Sequence, residues 1–333
     1  MKSNKNLQLG TTLYSLTNEF HGREYTFEQL IAKVAELNLG PGLEIVGFQS
    51  IRGFPHVSDA FAEHFREMLE RYGLKASCLG INADVALRRD RLMTTEESVA
   101  YHATQLHAAA KLGFPVARYQ FAASPEVIGL LAPVAERLNV KLGIEIHAPH
   151  KVDSAAIVAY REMYEKVRSP NLGFIPDFGS SARTIPPTVI SYFREQGFAE
   201  DLIQTALEVW HHSSFDEIHE RVADFQAVAR RISRDEIAIN ELGIIFALFS
   251  PQDPKAWLEL MPQVVHIHGK FFDFDSAGSE ITIDYENTLP VFVKAGYIGF
   301  MSSEWEGHVF SDASGFDKLT AHHALCSRIL DGL

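Results

Sequence analysis

Two histidines stand two residues apart in the stretch VVHIHGKFFDFD, which covers residues 264–275. Successive side chains of a strand point to opposite faces, so His266 and His268 face the same side. Two imidazoles on one face of an apolar strand are compatible with buried structural histidines. They are equally compatible with a metal site in which one histidine binds the ion and its neighbour orients a ligand.

Acidic residues stand at the ends of three further apolar runs. Glu145 and His147 close KLGIEIH, Asp177 precedes the last residue of LGFIPDF, and Glu304 precedes the last residue of GFMSSEW. A single buried carboxylate of this kind is readily explained as half of a salt bridge. Equivalent positions on four consecutive runs favour one shared site instead.

Three carboxylates packed together repel one another, so at least one stays protonated unless a cation lies among them. A divalent metal ion removes that conflict. Three carboxylate ligands and one imidazole suit Mn²⁺ best, with Mg²⁺, Co²⁺, Fe²⁺ and Zn²⁺ as alternatives. The sequence therefore predicts a metal site built from Glu145, Asp177, Glu304 and a histidine of the 264–275 stretch.

Eight short apolar runs supply the strands that must position these groups. They cover residues 7–14, 43–48, 75–81, 116–121, 141–147, 172–178, 264–270 and 299–305. Most are continuously apolar, as is typical of parallel strands covered on both faces, and amphipathic helical stretches separate them. Eight strand–helix units predict a (β/α)8 barrel, whose active site forms at the C-terminal ends of the strands. A doubly wound open sheet is the alternative, but no GxGxxG follows the first strand.

About eighty residues separate the sixth and seventh strands, far more than an ordinary crossover needs. We predict one domain over residues 1–333, with a helical insertion at residues 180–263. The insertion is either a structural elaboration or a lid or docking surface for a partner.

The composition excludes several classes of function. A formal charge of −13 disfavours binding to nucleic acid, whose phosphates attract a basic surface. No apolar run is long enough to span a membrane, the N-terminus lacks a signal-peptide pattern, and the two cysteines are far apart in the sequence. These features predict a cytoplasmic protein without disulfides. The histidine pairs at 211–212 and 322–323 are expected on solvated helix faces.

Several longer sequence segments resemble the catalytic alpha subunit of bacterial C-glycoside deglycosidases, which belong to the xylose-isomerase-like sugar isomerase/epimerase superfamily. The segments are DFGSSARTIPP, VVHIHGKFFDFD and ITIDYENTLPVFVKAGYIGFMSSEWEGH, together with the large helical insertion. The resemblance implies a xylose-isomerase-like TIM barrel. It also implies that His268, the second member of the HxH step, is the histidine ligand beside Glu145, Asp177 and Glu304.

The activity that the resemblance implies is a metal-dependent lyase reaction. It cleaves the carbon–carbon bond between a 3-oxo-sugar and an aromatic aglycone by deprotonation at sugar C2, formation of an enediolate and elimination of the aglycone. The expected partner is a small beta subunit, which would make a hetero-oligomer. His147 is expected to be the base, or alternatively to orient Glu145. Further side chains are expected to contact the substrate: His266, Lys270, Arg183 and His308.

Two other functions remain open at this stage. A sugar or inositol-derivative isomerase or epimerase would use the same metal-bound enediolate chemistry. A non-catalytic scaffold subunit would keep the barrel but has no need for intact ligand residues at all four positions.

Overall fold

The computed structural model describes residues 6–82, 87–120, 123–213 and 217–333. Eight parallel strands form one sheet in the order β6-β5-β4-β3-β2-β1-β8-β7. The strands are β1 (Leu7–Thr12), β2 (Gly42–Val46), β3 (Lys75–Gly80), β4 (Val116–Tyr119), β5 (Lys141–Ile146), β6 (Leu172–Pro176), β7 (Ile267–Phe271) and β8 (Gly299–Trp305). All eight predicted strands are present, and the predicted barrel is confirmed.

Helices connect the strands. They are α1 (Thr17–His21), α2 (Phe27–Glu36), α3 (Gly47–Ser50), α4 (Asp59–Arg71), α5 (Thr95–Leu112), α6 (Pro125–Leu138), α7 (Ala155–Val167), α8 (Pro187–Glu195), α9 (Glu200–His212), α10 (Ile218–Ile232), α11 (Glu236–Leu242), α12 (Ile245–Leu248), α13 (Tyr285–Lys294) and α14 (Gly315–Asp331). Within the described ranges, none of them combines the length and apolar character of a membrane span.

Local sequence signals set the ends of several helices. Thr26 and Gln29 form a reciprocal capping box at the start of α2, and Thr94 and Glu97 do the same for α5. Each pair satisfies two backbone N–H groups that would otherwise lack partners. Gly113 ends α5 with φ of 90°, a left-handed conformation that glycine adopts without the steric cost of a Cβ.

The ring of strands is nearly closed, and its seam lies between β6 and β7. Two isolated parallel bridges cross the seam, Phe174 to Val264 and Asp177 to His268. The backbone N–H of Val265 donates to the carbonyl of Phe174 at 3.0 Å. The seam therefore brings Asp177 and His268, two of the predicted metal ligands, directly beside each other.

The segment between β6 and β7 contains α8 to α12, which the sequence predicted as helical. Its apolar side chains pack into a second cluster, separate from the barrel core, which includes Trp210, Phe225 and Phe246. Phe272, which follows β7, belongs to the same cluster. Next to it, Asp273 accepts hydrogen bonds from the backbone N–H (2.9 Å) and hydroxyl (2.6 Å) of Thr188 in α8. These contacts join the insertion to the end of a strand that carries site residues.

The expectation for the histidine pair on α14 is wrong, because His322 and His323 are both buried. The His322 ring stacks on Phe271 with centroids 4.0 Å apart. Both histidines lie at helical spacing from Leu319 and Cys326, which are also buried, so they belong to the face that α14 turns towards the barrel. His211 and His212 are exposed, as predicted.

Candidate metal centre

The four predicted metal ligands meet at the C-terminal ends of the barrel strands. Glu145 lies in β5, Asp177 directly follows β6, His268 lies in β7 and Glu304 lies in β8. One ligand atom from each of the four lies within 4.8 Å of the others, and all four side chains are buried. The geometry therefore permits a single ion to contact all of them.

The atoms that face one another in this cluster fit a cation. The Nδ1 atom of His268 lies 2.7 Å from Glu145 Oε1 and 3.1 Å from Glu304 Oε2. Asp177 Oδ2, His268 Nδ1 and Glu304 Oε2 are buried and make no hydrogen bond of acceptable geometry with the described residues. Buried polar atoms without hydrogen bonds are costly, and coordination to a metal ion removes that cost.

The charge balance of the cluster also calls for a cation. Five buried or nearly buried carboxylates face two cationic side chains, Arg118 and Lys270, so three negative charges are in excess when all are ionised. The carboxylates belong to Glu44, Glu145, Asp177, Glu304 and Glu306. Burial raises the pKa of Asp177, and repulsion from Glu304 and Glu145 adds to this. A divalent cation would cancel two of the three charges.

Glu44 completes the surroundings of the histidines and was not predicted as a site residue. The Nε2 atom of His268 lies 2.9 Å from Glu44 Oε1, on the side of the ring opposite the four-residue cluster. His266 Nε2 lies 3.1 Å from Glu44 Oε2 and 2.9 Å from the hydroxyl of Ser302. Burial raises the pKa of Glu44, but the two histidines outweigh it and hold that pKa well below its usual range. Glu44 is thus an anionic acceptor that orients His268 for binding through Nδ1.

Arg118, which was also missed, holds the second oxygen of Glu145. Its Nη1 donates to Glu145 Oε2 at 2.6 Å, and Gln120 Nε2 donates to the same oxygen at 2.9 Å. Glu145 Oε1 is left facing His268 and the cluster. The Arg118 guanidinium lies across Gly80, where a Cβ would come within 2.9 Å of Nη2. Glycine at that position of β3 therefore makes room for the arginine.

Lys270 was predicted as a substrate contact, and the structure places it inside the cluster. Its Nζ lies 2.8 Å from both Asp177 Oδ2 and Glu306 Oε2, and the side chain is 1% exposed. Burial lowers the pKa of Lys270, but these carboxylates outweigh it and raise that pKa well above its usual range. The ammonium group is therefore charged. Glu306 is a further residue that the sequence analysis did not select.

His147 directly follows β5 and faces the cavity. Its Nδ1 lies 2.5 Å from the carbonyl of Ala148, which can only accept, so Nδ1 carries the proton and Nε2 is the basic atom of the neutral ring. Nε2 lies 3.9 Å from Glu306 Oε2 and 4.0 Å from Asp177 Oδ2. Burial and Lys270 lower the pKa of His147, but the two carboxylates outweigh them and raise it to about 9.

Three of the predicted substrate contacts do not line the cavity. His266 lies deeper in the barrel against Glu44. The Arg183 guanidinium donates to the carbonyls of Glu280 and Ile281 at 2.6 and 2.9 Å. The His308 ring packs edge-on against Tyr14, which does line the cavity. Their roles in substrate binding stay predictions.

The cavity at this end of the barrel has a volume of about 210 Å³. Its lining includes Glu145, His147, Lys270, Glu304 and Glu306. A larger cavity of about 650 Å³ lies at the opposite end of the barrel and contains none of the predicted site residues. The candidate site is therefore assigned to the smaller cavity because of its carboxylate, histidine and lysine side chains, and not because of its volume.

Comparison with known proteins agrees with the barrel fold. The sequence profile described as xylose isomerase-like TIM barrel matches residues 31–321. The 3'-dehydrocarminate deglycosidase alpha subunit of a Microbacterium species is 40% identical over 330 residues, which cover 97% of this chain and 95% of that one. The C-glycoside deglycosidase alpha subunit of Microbacterium trichothecenolyticum is 40% identical over 325 residues, 95% of this chain and 88% of that one. The chain belongs to the C-glycoside deglycosidase alpha-subunit family of xylose isomerase-like barrels.

Solved structures share the barrel fold of this chain. A xylose isomerase-like TIM barrel protein from Mycobacterium smegmatis, solved in complex with magnesium, superposes with a TM-score of 0.56. The match covers 100% of this chain and 99% of that one at 14% identity, so it shows the fold alone. The name alpha subunit, which both deglycosidase relatives carry, implies that those proteins have a partner subunit.

Proposed function

We propose that this chain is the catalytic subunit of a metal-dependent lyase that cleaves the carbon–carbon bond of 3-oxo-C-glycosides. The observation that carries the proposal is the cluster of Glu145, Asp177, His268 and Glu304, with His147 beside it in the cavity that Glu145 and Glu304 line. Relatives named C-glycoside deglycosidase alpha subunits, 40% identical over nearly the whole chain, support the choice of reaction.

Glu145, Asp177, His268 and Glu304 are the proposed metal ligands, with Mn²⁺ as the first choice and Mg²⁺, Co²⁺, Fe²⁺ or Zn²⁺ as alternatives. When bound, the ion supplies positive charge that polarises the C3 carbonyl and offsets the carboxylates around His147. Glu44 keeps Nδ1 of His268 directed into the cluster. Arg118 and Gln120 do the same for Oε1 of Glu145.

His147 is the proposed base. In the neutral tautomer set by the Ala148 carbonyl, Nε2 accepts the proton from C2, which is acidic because it lies next to the C3 ketone. The electron pair of the broken C2–H bond delocalises towards the C3 oxygen as an enediolate. It then forms the C1–C2 double bond while the C1–aglycone bond breaks. The aglycone carbon leaves with that bonding pair and takes up a proton, so no water is consumed.

Lys270 is proposed to stabilise the negative charge that develops on the sugar oxygens, because its ammonium group is held charged by Asp177 and Glu306. His266, Arg183 and His308 are proposed to act indirectly. His266 forms a hydrogen bond with Glu44, and Arg183 donates to the backbone carbonyls of residues 280–281. His308 packs against Tyr14 at the cavity wall.

The test is a direct assay of bond cleavage. The full chain is loaded with Mn²⁺, alone and together with a candidate beta subunit, and incubated with a 3-oxo-C-glucoside. Chromatography is expected to show free aglycone and an unsaturated 3-oxo-sugar. A Glu304→Ala variant should release no aglycone and bind less Mn²⁺. Unchanged metal binding by this variant would contradict the ligand assignment.

The second candidate is an isomerase or epimerase that acts on free sugars through the same enediolate. The cluster of potential metal ligands beside His147 supports it as well, because removal of a proton next to a ketone is common to both reactions. Conversion of a free ketose, without any release of aglycone from the 3-oxo-C-glucoside, would select this function over the lyase.

A further inference from the structure

The cavity has two walls of different chemical character. The charged wall comes from β4, β5, β7, β8 and the turns that follow them, and it carries His147 and two of the proposed metal ligands, Glu145 and Glu304. The wall contributed by the residues at and just after the ends of β2 and β3 is mostly apolar and carries Val46, Phe48 and Ile81, together with Gln49. In a ring of eight strands, β2 and β3 lie across from β6 and β7. A ligand in this cavity therefore meets charge on one side and apolar surface on the other.

Phe48 stands out on the apolar wall because its side chain is not buried. Val46 and Ile81 are each 5% exposed, whereas Phe48 is 54% exposed. No other aromatic ring in the described part of the chain packs against Phe48. A large apolar side chain left open at the mouth of a polar cavity is typical of a ligand-binding surface.

The backbone holds Phe48 in place. It lies in α3, which directly follows β2. The preceding residue, Gly47, packs closely against the ring of Phe54. A Cβ at Gly47 would come within 2.6 Å of the Phe54 ring. The first turn is closed by a hydrogen bond from the N–H of Ile51 to the carbonyl of Gly47, at 2.9 Å. The ring is thus presented by a packed element and not by an open loop.

The proposed chemistry orients the substrate between the walls. The C3 oxygen must lie at the metal ligands and the C2 hydrogen at His147, both on the charged side. The aglycone is attached to C1, on the other side of C2 from the ketone, and so extends away from the ligands. We propose that Phe48, flanked by Val46 and Ile81, stacks against a planar aromatic ring of the aglycone. This inference rests on the proposed function and adds a specificity-determining residue to it.

The proposal predicts a preference for flat aromatic aglycones, such as hydroxyflavones, over aliphatic ones. Stacking of a planar ring on an aromatic side chain typically changes affinity by about tenfold. The effect should appear in substrate binding, because Phe48 carries no group that takes part in proton transfer.

The experiment compares Phe48→Ala and Phe48→Trp with wild type and with Ile298→Ala, which removes another exposed apolar side chain outside the cavity. The full chain is loaded with Mn²⁺, and calorimetry measures binding of two probes, a free hydroxyflavone and methyl 3-oxo-glucoside. Phe48→Ala should weaken flavone binding about tenfold while leaving the sugar probe unchanged. Phe48→Trp and Ile298→Ala should bind both probes like wild type. With the 3-oxo-C-glycoside of the same flavone, Phe48→Ala should raise KM and not lower kcat.

Each result that differs from these expectations contradicts either the stacking role of Phe48 or the proposed lyase function. Flavone binding that is equally tight in Phe48→Ala and wild type overturns the stacking role, whether or not the wild type cleaves. Loss of binding to both probes in Phe48→Ala also overturns it, since the residue then supports the whole site. If flavone binding depends on Phe48 but the wild type releases no aglycone, the stacking role of Phe48 is supported and the proposed lyase function is contradicted.

Discussion

Glu44 illustrates how much of this site depends on residues that do not face the ion. It accepts from His268 on the side of the ring opposite the ligand cluster and contacts His266 as well. Such a carboxylate fixes the ring orientation and increases the basicity of the coordinating nitrogen. Its contribution can be measured as metal affinity, without reference to catalysis.

Glu44→Gln should weaken Mn²⁺ binding by about 10–100-fold, because the amide removes the negative charge but keeps an oxygen near His268 Nε2. Titration followed by electron paramagnetic resonance of free Mn²⁺ gives the affinity. Glu286→Gln, which changes an exposed glutamate outside the site, is the matched control. Wild-type affinity in Glu44→Gln would show that His268 needs no orienting carboxylate.

His147→Gln should lower kcat by about 10²–10⁴-fold while leaving the Mn²⁺ affinity unchanged, because it removes the base and no ligand. The measurements are steady-state aglycone release and metal titration on the same preparations. His150→Gln, three residues away and outside the cavity lining, should keep wild-type kcat. A parallel loss of metal and activity in His147→Gln would instead favour an orienting role for His147.

Two of the residues that sequence reasoning missed share one property. Glu44 and Arg118 are single charged residues inside otherwise apolar strands, and neither forms a motif with a neighbour. The ligands were predictable because they stand at the ends of four consecutive strands, where a barrel places its site. Partners that meet only across the ring, such as Glu44 in β2 and His268 in β7, require the closed structure.

At the scale of elements, the insertion is joined to the barrel through a short polar contact. Asp273 accepts from the N–H and hydroxyl of Thr188 near the start of α8, and Lys318 of α14 lies 3.3 Å from the same carboxylate. A side chain that satisfies free N–H groups at a helix start stabilises that helix much as an N-cap does. The helices of the insertion were predictable from their periodicity, whereas this attachment was not.

Asp273→Ala should lower the free energy of unfolding by about 1–2 kcal/mol, because it removes the acceptor for both donors of Thr188. Limited proteolysis should then cut the 187–248 segment faster, while Mn²⁺ affinity stays at the wild-type value. Asp312→Ala, at an exposed position, serves as the control. Equal protease resistance in both variants would argue that the apolar cluster alone holds the insertion.

At the scale of the whole molecule, the buried histidines of α14 couple stability to pH. Burial lowers the pKa of His323 to about 4, below the value of 6.5 for the free side chain. The unfolded chain therefore binds more protons between these two values. The stabilisation is fully present above pH 6.5 and is lost as the pH falls towards 4.

His323→Gln should flatten this pH dependence, since glutamine does not titrate. Between pH 7 and pH 5, wild type is expected to lose about 2 kcal/mol more stability than the variant. Urea unfolding at the two pH values measures the difference, and exposed His56→Gln should behave like wild type. If the free energy of unfolding depends on pH in the same way in wild type and His323→Gln, the loss of stability at low pH must come from protonation of other groups.

If the proposed metal site is occupied, removal of the ion should destabilise the entire barrel. A ligand present at 100 times its Kd stabilises the folded state by about 2.7 kcal/mol. Chelation of the ion should therefore lower Tm by about 5 °C. Scanning calorimetry with EDTA and after addition of excess Mn²⁺ measures the shift. Glu304→Gln should show little response, and an unchanged wild-type Tm would contradict a metal that bridges several strands.

The seam between β6 and β7 has a consequence for how the protein forms during synthesis. Neighbouring strands from β1 to β6 can pair in the order in which they leave the ribosome, but β1 also pairs with β8, the eighth strand of the sheet in sequence order. His268 reaches Asp177 only after the entire insertion has been translated. The four proposed metal ligands therefore cannot meet until Glu304 in β8 has been made, which is later than the translation of the whole insertion.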